Sequence, residues 1–474
     1  MRKIVKMSAI LVLLLVFTGI IAKSSYPGEE DVRMLSLDEF IRLATLNDTN
    51  FEEILIDELK LKYRKALGMP AGDLVMALKS QYDFVFKPKG GDIESSVSLS
   101  KLFPYSGTEI AAEYASSFDK RTRKTRSDFT AYISQPIAEN AFGRNTKLLD
   151  KIIGLETDVA DFQIIEAYED YLASIVQLYY NWYSAYENVN TARNAYSENS
   201  KLLENIKERQ RHKIALPVDV NKVSLQVLAK KENLIILENK YVEYLNMVKE
   251  SIRCGDGEII GPVRPDVYEG VTIDFKKDYE KFDKTSRTSE ILEMLEEKSS
   301  FEVDKYADEL LPSLDIIGGY TVEGPGQLVD EGEHLAFIGG SLDWPLPGQV
   351  ERARYETSKV TLEKTKLSSE NIHLRLYTGL KNLNDQIKRE HELIKLSEDK
   401  IVYAQSIVDE DKKNYSLGRL SLNDLIDEVN RLEENKFNKI FHEIQMKRLI
   451  VEWLRLTDTL VTEKEIKRSE SRVQ

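Results

Sequence analysis

The placement of proline and glycine constrains this chain more than any other feature. Residues 155–216 contain neither, and nor do 218–254, 380–417 and 419–474. Proline lacks the amide hydrogen and clashes with the preceding turn, and glycine loses the most backbone freedom on ordering, so both punctuate helices. Stretches this long without either leave room for helices far beyond the average of about 11 residues in globular proteins. At about 1.5 Å per residue, a helix over the first stretch alone reaches roughly 90 Å.

The apolar pattern inside these stretches agrees. Tyr168, Ile175, Trp182, Val189, Tyr196 and Leu203 recur every seven residues, and Leu172, Tyr179 and Tyr186 add a second position that fades at Arg193 and Ser200. This is the heptad pattern of a packed helical seam. A helix over about 144–212, a turn at Pro217 and a second helix to about 253 predict an αα-hairpin. A second hairpin is predicted over 349–415 and 421–460, turning at Gly418, with Lys213 in the matching place of the first.

The remaining segments change period. Over 79–136, Tyr82, Phe84 and Phe86 alternate with Asp83, Val85 and Lys87; Ile110, Ala112 and Tyr114 follow the same rule, as do Phe129, Ala131 and Ile133. A period of two predicts strands, although which strands pair is open. A shorter β-like region occupies 313–344. The chain therefore reads as a two-fold internal repeat of helix, strands and helical hairpin. Gln135-Pro136 and Trp344-Pro345, Tyr82 and Tyr320, and Asp219 and Asp424 hold matching places, 209, 238 and 205 residues apart. The expected organisation is a signal peptide at 1–22, a first repeat at 23–254 (strands at 79–136, hairpin at 144–253), and a linker at 255–287. A second repeat then covers 288–460 (strands at 313–344, hairpin at 349–460), and a tail covers 461–474. Strand-to-helix turns are expected at Pro136, Pro345 and Pro347.

The N-terminus and the charge narrow the function. Arg2, Lys3 and Lys6 precede an apolar run over 9–21 and then Ala22, Lys23 and Ser24, the order of a cleavable secretory signal. Cleavage there removes three basic groups and no acid, taking the net charge from −14 to −17. That balance argues against nucleic acid as a partner. A single cysteine, Cys254, excludes an internal disulfide framework. The five histidines, His212, His334, His373, His391 and His442, form no pair at metal-ligand spacing, and no nucleotide loop or nucleophile motif is present. No cofactor is implied and no enzyme activity is expected. After the leader, no segment is apolar enough for a membrane helix, so any membrane insertion must use β-strands.

A few strands and a very long hairpin cannot bury their own apolar surfaces; both need neighbours. Oligomerisation meets both needs by closing the strands into a barrel and the helices into a tube.

From Leu35 to about Leu460 the chain resembles the TolC-type outer-membrane efflux and secretion channels. The resemblance rests on Leu35-Ser36-Leu37-Asp38-Glu39 with Ala44 and Asn47, on Leu311-Pro312-Ser313-Leu314, and on Gln135-Pro136-Ile137. It rests also on the run Tyr415-Ser416-Leu417-Gly418-Arg419-Leu420-Ser421-Leu422-Asn423-Asp424-Leu425-Ile426-Asp427. It implies a mainly α fold with a smaller β part: a homotrimer in which each chain lends four strands to a twelve-stranded transmembrane barrel and its hairpins to an α-helical tunnel. It further implies an outer-membrane location with a large periplasmic part. The implied partners are outer-membrane lipid, a periplasmic adaptor (membrane fusion protein), and an inner-membrane pump or ABC transporter. The exported cargo would be small molecules or proteins. Asp424 and Asp427, one helical turn apart, would form stacked acidic rings at the periplasmic aperture; from the residues alone, they equally suit the N-terminal end of a helix macrodipole. The family's latch pairs the residue matching Tyr415 with the one matching Asp219; its basic member falls at Leu420, which leaves neighbouring Arg419 as the substitute. The alternative from a different class is a coiled-coil structural or adhesive protein of the cell envelope with no pore.

Overall fold

A computed structural model describes residues 32–85, 90–120, 122–255, 257–265, 273–326 and 332–460. The expected signal peptide, the tail, parts of the linker, and Phe86 and Lys87 of the first alternating run lie outside these residues.

The chain opens with β1 (Arg33–Leu35), α1 (Leu37–Asn47) and α2 (Thr49–Gly68). Ser36 caps α1, its Oγ accepting the Glu39 amide at 3.3 Å, as its sequence pattern predicts. Asp48 ends α1 and caps α2, accepting the Asn50 amide at 2.9 Å. Four strands follow: β2 (Leu74–Val85), β3 (Gly90–Phe103), β4 (Thr108–Asp119) and β5 (Lys124–Pro136). The first hairpin is α3 (Arg144–Arg211) and α4 (Pro217–Ile252). Next come β6 (Ile260–Pro262), α5 (Phe275–Thr285) and α6 (Arg287–Asp308). The second half supplies β7 (Ser313–Pro325) and β8 (Glu333–Asp343), then α7 (Gln349–Ser416) and α8 (Leu422–Leu456).

The internal repeat is close to exact in length at the helices. Both α3 and α7 have 68 residues, and α4 and α8 have 36 and 35. Each long helix starts just after a left-handed glycine, Gly143 (φ 72°) or Gly348 (φ 68°). At Gly143 a side chain is impossible, because a Cβ there would sit 2.4 Å from the Tyr105 carbonyl oxygen.

The strands depart from expectation. They form one antiparallel sheet of six, in the order β2-β3-β4-β5-β7-β8, where the resemblance implies four per chain. Two of the six make an added hairpin: β2 and β3 precede the β4–β5 pair that corresponds to β7–β8. This corrects the matching of Tyr82 with Tyr320. Tyr82 lies in the added hairpin, which is why its spacing of 238 stands apart from the 205 shared by the helices. The β region also begins earlier, at Leu74 rather than 79.

The heptad residues are the core. Tyr168, Ile175, Trp182 and Val189 are buried along α3, and Trp182, Tyr179 and Tyr180 are fully so. All of these but Val189 pack in one cluster with Phe40 and Ala44 of α1, Phe51 of α2, Val248 of α4 and Val451 of α8. The Tyr179 hydroxyl lies 2.7 Å from the carbonyls of both Leu35 and Val263 and accepts the Val263 amide at 3.0 Å. It thereby holds the parallel β1–β6 pair against the middle of the hairpin. A second cluster sets Phe282 of α5 against Leu380, Leu383 and Ile387 of α7 and Trp453 of α8. These short elements band the long helices at mid-length. Among the described residues no helix is long and apolar enough to cross a membrane.

Candidate channel lining and hairpin tips

The register of the six strands sorts their side chains onto two unlike faces. One row crosses the sheet through Leu74, Lys101, Ile110, Ile133, Gly318 and Ile338, and the next through Met76, Leu99, Ala112, Ala131, Tyr320 and Ala336. A third runs through Leu78, Val97, Tyr114, Phe129 and Val322 to His334. Lys101 is the one Lys or Arg in these rows. Along β7 the apolar rows run from Leu314 to Val322, roughly 26 Å at about 3.3 Å per residue before tilt, close to the ~25 Å band of a membrane barrel. Toward the strand-connecting loops the band is bordered by a row of hydroxyls, Ser80, Ser95, Ser116 and Ser127. Toward the edge strands its side chains are left exposed: Leu78 is 70% exposed and Ile338 85%.

The opposite face is charged. Asp83, Asp92 and Asp119 share a row with Lys124, and Asp128, Glu323 and Glu333 share another with Lys79. Glu94, Glu109, Glu113, Asp315 and Asp343 stand on the same face, and Arg126 pairs with Glu323. Alternation alone marks these strands in the sequence. What it could not reveal is that every strand points its acids the same way, because that depends on pairing.

The turns expected from proline lie where strand meets helix. Pro136 closes β5 opposite Asp315, and Pro345 and Pro347 lie between β8 and α7. The other punctuation lies at the far ends of the helices. Pro217 is the first residue of α4, where its missing amide costs nothing. Gly418 ends the turn of α7 with φ 71°. Its amide reaches the Tyr415 carbonyl at 3.0 Å, and the Arg419 amide the Asn414 carbonyl at 2.9 Å. Lys213 does the same at the first tip with φ 60°, through the Gln210 and Arg209 carbonyls at 2.8 Å each.

The acids at the tips are helix caps in the single chain. The Ser421 hydroxyl donates to Asp424 Oδ2 at 2.7 Å and accepts the Asp424 amide at 3.3 Å. Asp427, a turn further along α8, is exposed, as is Asp424. Asp219 Oδ2 accepts the Leu216 amide at 3.0 Å. Among the described residues no group of three or more His, Cys, Asp or Glu side chains is placed to hold a metal ion.

The cross-hairpin contact differs from the one the resemblance implies. The Tyr415 hydroxyl makes no hydrogen bond to Asp219 among the described residues. Its ring instead carries the Arg209 guanidinium, 4.9 Å from the centroid, and Arg209 Nη1 donates to the Ser416 carbonyl at 3.3 Å. Burial pushes the Tyr415 hydroxyl above its usual range, the Arg209 charge opposes that and the Asp219 charge reinforces it. Arg419 is exposed and takes no part. The cation beside Tyr415 is thus Arg209, from the opposite hairpin, and not Arg419. Below it, Lys222 donates to Asn423 Oδ1 at 3.1 Å, and Lys230 pairs with Glu433 at 2.6 Å in a largely buried setting. Together these contacts tie α4 to α8 from the tip inward.

A two-faced sheet joined to two long helical hairpins is a fold that solved outer-membrane channels share. No protein-family model matches the sequence, and no curated protein does. Solved structures do. The chain is similar to CusC, described as a transmembrane channel, with a TM-score of 0.70 at 9% identity over 92% of this chain and 95% of that one. It is similar to the outer-membrane channel OprN, with a TM-score of 0.70 at 12% identity over 89% of each chain. It is also similar to the outer membrane protein VceC of Vibrio cholerae, with a TM-score of 0.67 at 12% identity over 89% of this chain and 95% of that one.

Proposed function

We propose that this chain is a subunit of a trimeric outer-membrane channel, a passive conduit for export in a tripartite efflux or type I secretion system. One observation carries the reading: the sheet is apolar over a membrane-high band on one face, charged on the other and, among the described residues, unpaired at both edges. Such a sheet is satisfied when lipid covers the first face, water fills the second, and other copies close the edges. The helical hairpins then continue the bore into the periplasm. Energy comes from an inner-membrane pump or ABC transporter through an adaptor at the helix tips, and the chain itself does no chemistry. At the tips, Asp424 and Asp427 of three copies line the aperture and favour cations. Opening moves the hairpins past one another, which requires the Arg209–Tyr415 contact to part.

Single-channel recording of the purified protein in planar bilayers tests this. Asp424→Ala with Asp427→Ala is expected to lower cation selectivity and weaken block by multivalent cations. Unchanged selectivity and block would remove the acidic-ring role. Recovery of the protein in the soluble periplasm, without detergent-dependent oligomers, would favour the poreless coiled-coil reading.

A further inference from the structure

We infer that the free edge of β2 pairs with the free edge of β8 in a neighbouring copy, so that each subunit contributes six strands and a trimer encloses an eighteen-stranded barrel. The number of copies rests on the trimeric-channel reading above. The strand count per copy rests on the sheet itself.

Five observations carry it. The edges are long and matched, 12 residues in β2 and 11 in β8, and among the described residues β2 pairs with β3 alone and β8 with β7 alone. An open edge against hydrocarbon leaves backbone groups unsatisfied, so it must be closed. The added hairpin is part of the membrane band rather than a polar flap, for Leu74, Met76 and Leu78 stand in the apolar rows that end at Ile338, Ala336 and His334. Closure of one chain on itself fails, because even an eight-stranded barrel is only wide enough for its side chains, and six strands would bury the whole charged face. Closure through β4 instead of β2 fails as well, because it breaks the β3–β4 ladder paired from Asp92↔Asp119 to Phe103↔Thr108.

Direction and surface both fit the β2–β8 junction. The sheet is antiparallel throughout, so with six strands the first and last run in opposite senses. Rotated copies can then meet edge to edge and stay antiparallel around the ring. On the charged face, the large apolar side chains left exposed are Val75 of β2 and Leu335 and Phe337 of β8, and all three stand on the two edge strands. Joining the edges sets them against one another and removes them from water. Barrel width grows roughly in proportion to strand number, which makes this barrel about half as wide again as one of twelve strands.

Disulfide trapping in the full-length protein tests the junction, in a Cys254→Ser background and in isolated outer membranes. Ala77→Cys, Lys79→Cys and Gln81→Cys in β2 are each combined with Gly339→Cys or Ser341→Cys in β8. A parallel set places Glu113→Cys or Ala115→Cys in β4 against the same β8 positions. The expected result is a shift from monomer to linked dimer and trimer bands on oxidation for one or more β2–β8 pairs, and none for β4–β8 pairs. Links from β4–β8, or from neither set while an amine-reactive cross-linker still gives trimers, would overturn the eighteen-stranded barrel and leave the channel reading intact. Monomers alone with the amine-reactive reagent would overturn the channel reading, and this inference with it.

Discussion

The two hairpin turns share a backbone and differ in one decisive residue. Lys213 and Gly418 both hold a left-handed conformation, at φ 60° and 71°, and close the same pair of amide-to-carbonyl bonds. A residue with a Cβ is disfavoured there by roughly 1 kcal/mol or more, and glycine is not. Lys213→Gly is therefore expected to stabilise the first tip by up to about 1 kcal/mol and Gly418→Ala to destabilise the second by a similar amount, both read as shifts in denaturant midpoint of the detergent-solubilised protein. The Arg209–Tyr415 contact belongs to the same scale. Arg209→Ala removes a cation–π contact of about 0.5–1 kcal/mol and is expected to raise the frequency of open events in bilayer recordings, whereas Arg419→Ala leaves it unchanged. The resemblance implied Tyr415 and Asp219 as a pair. The sequence hid Arg209, which sits more than two hundred residues before Tyr415 and sends no local signal. The helix-end role the residues alone allowed is the one seen for Asp424, which is engaged with Ser421, as Asp219 is with the Leu216 amide.

At the scale of elements, the helices were legible and the sheet was not. A heptad run is a local pattern, so Tyr168, Ile175, Trp182 and Val189 announced α3 to within a residue of each end. Strand alternation is local too, but pairing is not: Tyr82 and Tyr320 alternate alike and sit in strands with no equivalence. The band at mid-length was partly hidden for a similar reason, since β1 and β6 have three residues each and find each other across the whole first repeat. A buried ionic cluster joins three elements there. Arg287 of α6 pairs with Glu169 of α3 and with Asp458 just after α8, whose Oδ2 also accepts the Arg287 amide at 2.7 Å. Burial raises Asp458 and the neighbouring Glu166, and the Arg287 charge only partly offsets it. An acid raised in the folded state holds its proton more tightly there than in the unfolded chain. Its contribution to stability therefore rises as pH falls through the raised value and is lost as pH climbs back. Glu166→Gln is expected to flatten this part of the pH dependence of the melting temperature; a slope identical to that of the parent protein would show that Glu166 does not titrate in that range.

For the whole molecule, charge is arranged by face rather than spread. The net −14 of the sequence includes an excess of acids on one side of the sheet, with Lys79, Lys124 and Arg126 their only Lys or Arg company there among the described residues. In the proposed channel, a bore lined this way would repel anions along its length as well as at its tip. Neutralising Asp128, Glu323 and Glu333 together is expected to shift the reversal potential under a salt gradient toward zero, even with Asp424 and Asp427 intact. The added β2–β3 hairpin also has a bearing on symmetry. The two helical hairpins are near copies, so the proposed trimer would present six nearly equivalent tips to whatever docks on them. The strands are not copies, four in one half and two in the other. One end of the proposed trimer would thus keep an approximate six-fold rhythm while the other is strictly three-fold, and the change of symmetry would fall between them, where the short elements band the helices.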